Sequence, residues 1–136
     1  MTALTTRPIS TSTDALLRFA LRADATITGA IGVVGAAFAN PLSQLSGLSP
    51  TTEYLLGAAF VFYGIAVYYL AALPSLRNVG IGVSVANVVC TLLTLAIVMT
   101  DVAPLTAAGA AMTMVMGTYT AFFAYLQYLG VRRLRA

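Results

Sequence analysis

Four long runs of apolar residues, separated by short polar segments, dominate the sequence. They cover residues 17–39, 54–73, 79–99 and 105–130. Each has about the 20 residues that an α-helix needs to cross the hydrocarbon core of a membrane. The first run includes Arg22 and Asp24, because its uncharged part from Ala25 to Ala39 is too short to cross alone. The pattern therefore predicts an all-α membrane protein, a bundle of four transmembrane helices.

Local signals in the first polar segment predict where helices end and begin. Asn40-Pro41 should end the first helix, because proline disfavours the helical conformation in the residue before it. Residues 40–52 are accordingly expected to form a loop. Ser49-Pro50 predicts the start of the second helix, since serine is a common N-cap and proline is favoured at the first helical position.

The first twelve residues differ from the rest of the chain. They read MTALTTRPISTS, which is rich in Ser and Thr and has no apolar periodicity. Such a segment is expected to be a flexible tail. Residues 13–136 are expected to form one domain that contains all four spans.

Charged residues are few and unevenly distributed. Only 8 % of the residues are charged, against about 25 % in a soluble domain, so the surface must face lipid. In a four-span arrangement one side carries every basic residue, namely Arg7, Arg18, Arg22, Arg77, Arg132, Arg133 and Arg135. The opposite side carries only Glu53 and Asp101. Because arginine is retained on the cytoplasmic side, we expect the N and C termini to be cytoplasmic. The expected protein is thus an up-down-up-down bundle, a multi-pass protein of the plasma (inner) membrane.

Small residues at alternating spacings of three and four mark the faces on which the helices should meet. In lipid, helices associate through close packing and polar contacts rather than through burial of apolar surface. The glycines expected at these contacts are Gly29, Gly32, Gly64, Gly109 and Gly117. An average spacing of 3.5 residues is typical of a left-handed bundle with crossing angles of about 20°.

The residue types exclude several kinds of chemistry. There is one Cys and no His, so an internal disulfide or a CxxC redox pair cannot form. The usual haem and catalytic zinc sites require His. No nucleophile–base pair can be assembled, and no basic stripe suits nucleic acid. We therefore expect neither an enzyme, nor a bound metal or cofactor, nor a nucleic-acid partner.

Asp24 is the most informative polar residue, because an ionisable side chain inside a span suggests a functional site. Counting residues places it near the inner edge of the hydrocarbon core. It could pair with a cytoplasmic-side arginine, such as Arg77 or one near the C-terminus, and fix the depth of the helix. Alternatively, it could face a cavity inside the bundle and carry protons or substrate. Arg22 is two residues away on the same helix and should diverge from it.

Asn87 is predicted near the middle of the membrane, where a buried amide needs partners. It could bond a neighbouring helix or contribute to a ligand or ion site. Gln127 lies at the inner end of the fourth span, where an interfacial role suffices to explain it. The candidate functional polar residues are Asp24, Asn87, Arg22, Arg77 and Gln127. Glu53 and Asp101 are expected to be solvated loop acids.

Two stretches resemble small four-helix integral membrane proteins of mycobacteria and other actinobacteria. The first is Leu21-Arg22-Ala23-Asp24-Ala25, followed by Gly29 and Gly32; the second is Thr118-Tyr119-Thr120 through Leu126-Gln127-Tyr128 to Arg132-Arg133. The resemblance covers most of residues 17–135. It implies a location in the plasma membrane and no particular activity.

Two kinds of function fit these features. The first is a structural or accessory subunit that packs against the helices of other membrane proteins or of further copies of itself; it suits the small residues and minimal loops. The second is a small transporter or a lipid- or ligand-binding bundle. Both make the lipid bilayer a partner. A stoichiometric partner after gentle detergent extraction would favour the first, and binding of amphipathic cations the second.

Overall fold

A computed structural model describes residues 13–134, and this part of the chain contains helices and no strand. The helices are α1 (Ala15–Ala37), α2 (Ala39–Ser46), α3 (Pro50–Leu70), α4 (Arg77–Thr100) and α5 (Ala107–Arg132). All but α2 are long and apolar enough to cross a membrane. The all-α prediction is therefore confirmed, whereas the predicted tail of residues 1–12 lies outside the described residues.

The segment between the first two spans differs from the sequence prediction. Residues 40–52 were expected to form a loop, but Asn40 and Pro41 lie in the first turn of α2. A proline is tolerated there because a first-turn amide has no partner within its own helix. Phe38, with φ −114° and ψ 36°, separates α2 from α1. Ser49 caps α3 as predicted, since its side chain accepts a hydrogen bond from the Thr52 amide at 3.1 Å.

The four long helices form two antiparallel pairs. α1 packs along α3 and α4 packs along α5, while α1 and α5 connect the pairs. We term the end with Arg18, Arg77 and Arg132 the inner end, and the end with α2 and Asp101 the outer end. Apolar side chains of all four long helices or their flanks fill the interior near the inner end, including Leu17, Leu21, Val67, Leu76, Val83 and Phe123.

Glycines allow α1 and α3 to touch at the backbone. A Cβ atom on Gly64 would lie 2.6 Å from the Ala25 carbonyl oxygen and 2.9 Å from the Gly29 Cα. A Cβ on Gly32 would collide with the Gly57 carbonyl oxygen. At Gly29 there is more room, because the nearest neighbour of an added Cβ would be the Gly64 Cα at 3.8 Å.

The remaining two predicted packing glycines lie on α5. Gly117 faces Thr94 of α4, whose hydroxyl oxygen an added Cβ would meet. Gly109 packs against the backbone of Ser46, so its neighbour is the short helix α2 and not another span. The Thr91 and Thr120 hydroxyls also join α4 to α5, through a hydrogen bond of 2.7 Å.

Candidate functional site

Asp24 lies in the interior of the bundle and has no exposed surface. Its helical face also carries Leu17, Leu21 and Thr28, which are all buried. These four residues are spaced four, three and four apart, so they form one stripe along α1. The stripe faces the junction where α1 meets the other long helices.

Uncharged side chains surround the Asp24 carboxylate. Its Oδ2 accepts hydrogen bonds from the Tyr63 hydroxyl at 2.8 Å, the Asn87 amide nitrogen at 2.9 Å and the Gln127 amide nitrogen at 2.9 Å. Its Oδ1 accepts bonds from the Thr28 and Tyr119 hydroxyls, both at 3.0 Å. Together these six residues are termed the inner polar cluster: Asp24, Thr28, Tyr63, Asn87, Tyr119 and Gln127.

A further bond within the inner polar cluster connects two of the partners, because Asn87 donates to the Gln127 side-chain oxygen at 3.0 Å. The Thr28 and Tyr119 hydroxyl oxygens are 2.9 Å apart, but each hydroxyl has a single proton and donates it to Asp24. A carboxylate offers about four lone-pair positions, and five donors share them, three at Oδ2 and two at Oδ1. The cluster therefore meets the requirement that buried polar groups be hydrogen-bonded, and it draws on α1, α3, α4 and α5.

The expected pairing of Asp24 with a cytoplasmic-side arginine is wrong for the described part of the chain. The ion pair found there joins Arg18 to Asp14 at 2.7 Å. Arg77 is exposed at the start of α4, whereas Asp24 faces the interior. Asp24 and Asn87 are in contact and so lie at one level of the bundle, whereas counting residues predicted Asp24 near the inner edge and Asn87 near the middle.

Arg22 diverges from Asp24, as two residues on one helix should. Its guanidinium carbon lies 5.1 Å from the ring centroid of Tyr68, in cation–π range. Its Nε atom is buried, and no hydrogen-bond partner reaches it from the described residues. Arg77 lines a cavity of about 970 Å³ at the inner end, together with Tyr128 and Arg132.

Glu53, expected to be a solvated loop acid, is only 8 % exposed. The Ser46 hydroxyl donates a hydrogen bond to its Oε2. The expectation failed because α2 was not predicted, and α2 carries Ser46 over the first turn of α3. Asp101, by contrast, is exposed at the end of α4.

A cleft of about 670 Å³ opens in the outer half of the bundle. It is termed the outer cleft. α1, α3 and α5 form its walls, and α2 covers its outer end. The lining residues are mostly apolar. They include Ile31, Ser46, Glu53, Phe60, Gly109, Ala111, Met112 and Met116.

The outer cleft ends one helical turn from the inner polar cluster. Ile31 lines the cleft and Thr28 lies three residues before it in α1. Phe60 and Met116 also line the cleft, and each is followed three residues later by a tyrosine of the cluster. Three residues rise about 4.5 Å along a helix. The cluster therefore lies directly beneath the inner end of the cleft.

Sequence reasoning identified half of the inner polar cluster. Asp24, Asn87 and Gln127 lie together, while Arg22 and Arg77 lie elsewhere. Thr28, Tyr63 and Tyr119 were missed as members, although the spacing of Thr28 from Asp24 places both on one face of α1. Among residues 13–134, no group of three or more His, Cys, Asp or Glu side chains could hold a metal ion.

No protein-family model, curated protein or solved structure matches this chain. The resemblance of residues 17–135 to actinobacterial membrane proteins therefore stays a prediction. The geometry of the inner polar cluster and the outer cleft is consequently the basis for assigning a function.

Proposed function

We propose that this protein is a multi-pass protein of the plasma membrane with both termini on the cytoplasmic side. Four helices of suitable length and hydropathy support this. The many large apolar side chains on their outer faces, such as Phe62, Leu92 and Met99, support it too. The described arginines lie toward one end of the bundle, whereas Glu53 and Asp101 lie toward the other. This distribution is the one that cytoplasmic retention of basic residues produces.

The orientation is tested by cysteine labelling in intact cells, in a Cys90→Ala background. Cysteines that replace the exposed residues Gln44 or Val102 should react with a membrane-impermeant maleimide. A cysteine that replaces the exposed Arg133 should react only after permeabilisation. Labelling of the Arg133 position from outside would contradict the proposed orientation.

Within the membrane, the protein acts as a non-enzymatic binding bundle for an elongated apolar ligand. The outer cleft is the observation that carries this proposal. Its volume of about 670 Å³ lies within the range of about 300–1,000 Å³ typical of small-molecule sites, and its mainly apolar lining is typical too. α2 closes one end of the cleft and the inner polar cluster lies beneath the other. This favours the ligand-binding alternative over a purely structural subunit.

The inner polar cluster supports this function by holding the helices in place. It joins α1, α3, α4 and α5 on one carboxylate, so the inner half of the bundle is fixed. Beyond Thr28 and Tyr119, Gly32 of α1 packs against Gly57 of α3, and Gly117 of α5 packs against Thr94 of α4. The outer cleft lies between these two pairs.

Photolabelling of the purified protein in phosphatidylcholine nanodiscs tests the proposal. The probe is decanol with a diazirine near the end of its chain, and labelled residues are mapped by mass spectrometry. Met116 lines the outer cleft, whereas Met114 on the same helix is exposed and lies outside it. We expect Met116 to be labelled several-fold more than Met114.

Matched variants on α5 complete this test. Ala111→Phe fills the cleft and should abolish the preference for Met116. Ala121→Phe introduces the same side chain at an exposed position outside the cleft and should leave the preference unchanged. Equal labelling of Met114 and Met116 in the wild type would overturn the binding proposal. A stoichiometric protein that accompanies the chain through gentle detergent extraction would then favour the accessory role.

A further inference from the structure

Among residues 13–134, Glu53 is the one charged residue in the lining of the outer cleft. It lies in the first turn of α3, at the outer end of the cleft, and is 8 % exposed. No arginine of the described chain lines this cleft. The described lining therefore carries one formal charge, the Glu53 carboxylate at its outer end, and mostly apolar walls along the rest of its length.

The hydrogen bonding of Glu53 is incomplete. Ser46 donates to Oε2, and within residues 13–134 no donor bonds to Oε1. Taking a carboxylate out of water costs free energy unless it gains a charged partner or further hydrogen bonds. Because Glu53 lines the cleft, a bound ligand can supply that partner.

The dimensions of the outer cleft specify the shape of such a ligand. From Glu53 to Phe60, both in its lining, α3 rises about 10 Å. A single alkyl chain along this wall would reach the level of Met116 while its head stayed beside Glu53. This places the polar head at the outer membrane surface and the tail inside the bundle, as for an amphiphile in the outer leaflet.

We infer that the outer cleft takes a single-chain amphiphile with an ammonium head, which pairs with the Glu53 carboxylate. The inference rests on the proposed binding function and adds the class of ligand. A phospholipid fits less well, because its phosphate would lie beside Glu53 and no basic side chain of the described lining could neutralise it.

Two diazirine probes with the same decyl chain, one with an ammonium head and one with a hydroxyl head, test this inference. The measured quantity is the ratio of labelling at Met116 to labelling at Met114, which corrects for partition of each probe into lipid. A charge-assisted hydrogen bond is worth enough to change binding about tenfold. We therefore expect a ratio about tenfold higher with decylammonium than with decanol, at subsaturating probe.

Glu53→Gln keeps the shape of the side chain and an oxygen for Ser46 to bond, but removes the charge. It should lower the decylammonium ratio to that of decanol and leave the decanol ratio unchanged. Asp101→Asn removes the same charge from an exposed position outside the cleft and should leave the preference for ammonium unchanged. Retention of the decanol ratio in each variant shows that the cleft is still folded.

The outcomes separate the two proposals. If neither probe prefers Met116 in the wild type, the binding function itself fails. If both probes prefer Met116 equally and Glu53→Gln changes neither ratio, the cleft binds ligands but the inferred role of Glu53 is wrong. Phosphatidylethanolamine can be added to the nanodisc as a competitor. If it reduces probe labelling at Met116 as much as free decylammonium does, a membrane lipid is the occupant and the single-chain assignment is wrong.

Discussion

The two halves of this bundle are built on different principles. The inner half is held by the inner polar cluster, in which Asp24 accepts five hydrogen bonds from residues of four helices. In the outer half, glycine contacts hold α1 to α3, and hydroxyl and glycine contacts hold α4 to α5. There α2 contacts the start of α5, where the Thr106 amide donates to the Ser46 carbonyl oxygen at 2.9 Å, and the outer cleft lies between the two pairs.

This difference shows how a bundle of four long apolar helices can be both fixed and open. Hydrogen bonds to one buried carboxylate have directions and distances that allow a single arrangement of the helices. Glycine contacts within each pair hold that pair together without requiring the pairs to touch each other. Space for a ligand can therefore exist beside a region that the buried hydrogen bonds hold in place, and substitutions in the two halves should have different effects.

The largest effect is expected when the centre of the inner polar cluster is removed. Asp24→Ala deletes five hydrogen bonds at about 0.6 kcal/mol each, the mean for buried bonds in a membrane protein, or about 3 kcal/mol. The measurement is the free energy of unfolding by SDS titration in mixed micelles. Thr26→Ala, an exposed position on the same helix, is the control and should change it little.

Asp24→Asn sharpens the same experiment and should cost only about 1 kcal/mol. Its amide group can occupy the Oδ1 position, where Thr28 and Tyr119 offer hydroxyls that can accept as well as donate. Its oxygen can then keep the donors that reach Oδ2. Equal losses for the Ala and Asn variants would show that this polar network does not hold the inner half.

Close packing in the outer half is tested by Gly32→Leu. The new side chain would collide with the backbone of α3 at Gly57 and Val61, so we expect a loss of about 2 kcal/mol or more. Val34→Leu adds bulk on the same helix at a position that is more than half exposed. It should be nearly neutral, and if both variants behave alike the assigned packing face of α1 is wrong.

The contrast between a packed and an open region is tested by placing one aromatic ring in each. Ala124 is buried in the inner half of α5, and Ala124→Phe should lower the free energy of unfolding by about 2 kcal/mol because no space is available. Ala111→Phe enters the outer cleft and should change it by less than about 0.5 kcal/mol. A similar loss for both would mean that the cleft closes in the folded protein.

The smallest contrast is between two glycines that face each other. Gly64→Ala places a Cβ 2.6 Å from the Ala25 carbonyl oxygen and should cost about 1 kcal/mol. Gly29→Ala has 3.8 Å of clearance and should be neutral or stabilising by a few tenths of a kcal/mol, because alanine favours the helix more than glycine does. Thermal unfolding in one detergent is sensitive enough to rank the two.

The sequence by itself determined the secondary structure of the spans and the faces on which they meet. A membrane-crossing segment must satisfy its backbone hydrogen bonds within itself, so length and hydropathy suffice to predict each long helix. Close approach in lipid requires small residues, so the spacing of Gly32 and Gly64 marked the contact faces. Length, hydropathy and the spacing of small residues are local properties, so they can be recognised from neighbouring residues in the chain.

Only the tertiary structure decided what surrounds Asp24 and Glu53. The helical rise gives the depth of a residue, but not which side chains of other helices lie at that depth and face it. The donors to Asp24 from other helices come from positions 39 to 103 residues away. Glu53 is covered by α2, a helix that the residues between the first two spans do not predict. Hydrogen bonds between distant residues depend on the rotation and separation of whole helices, and those follow from packing all four together.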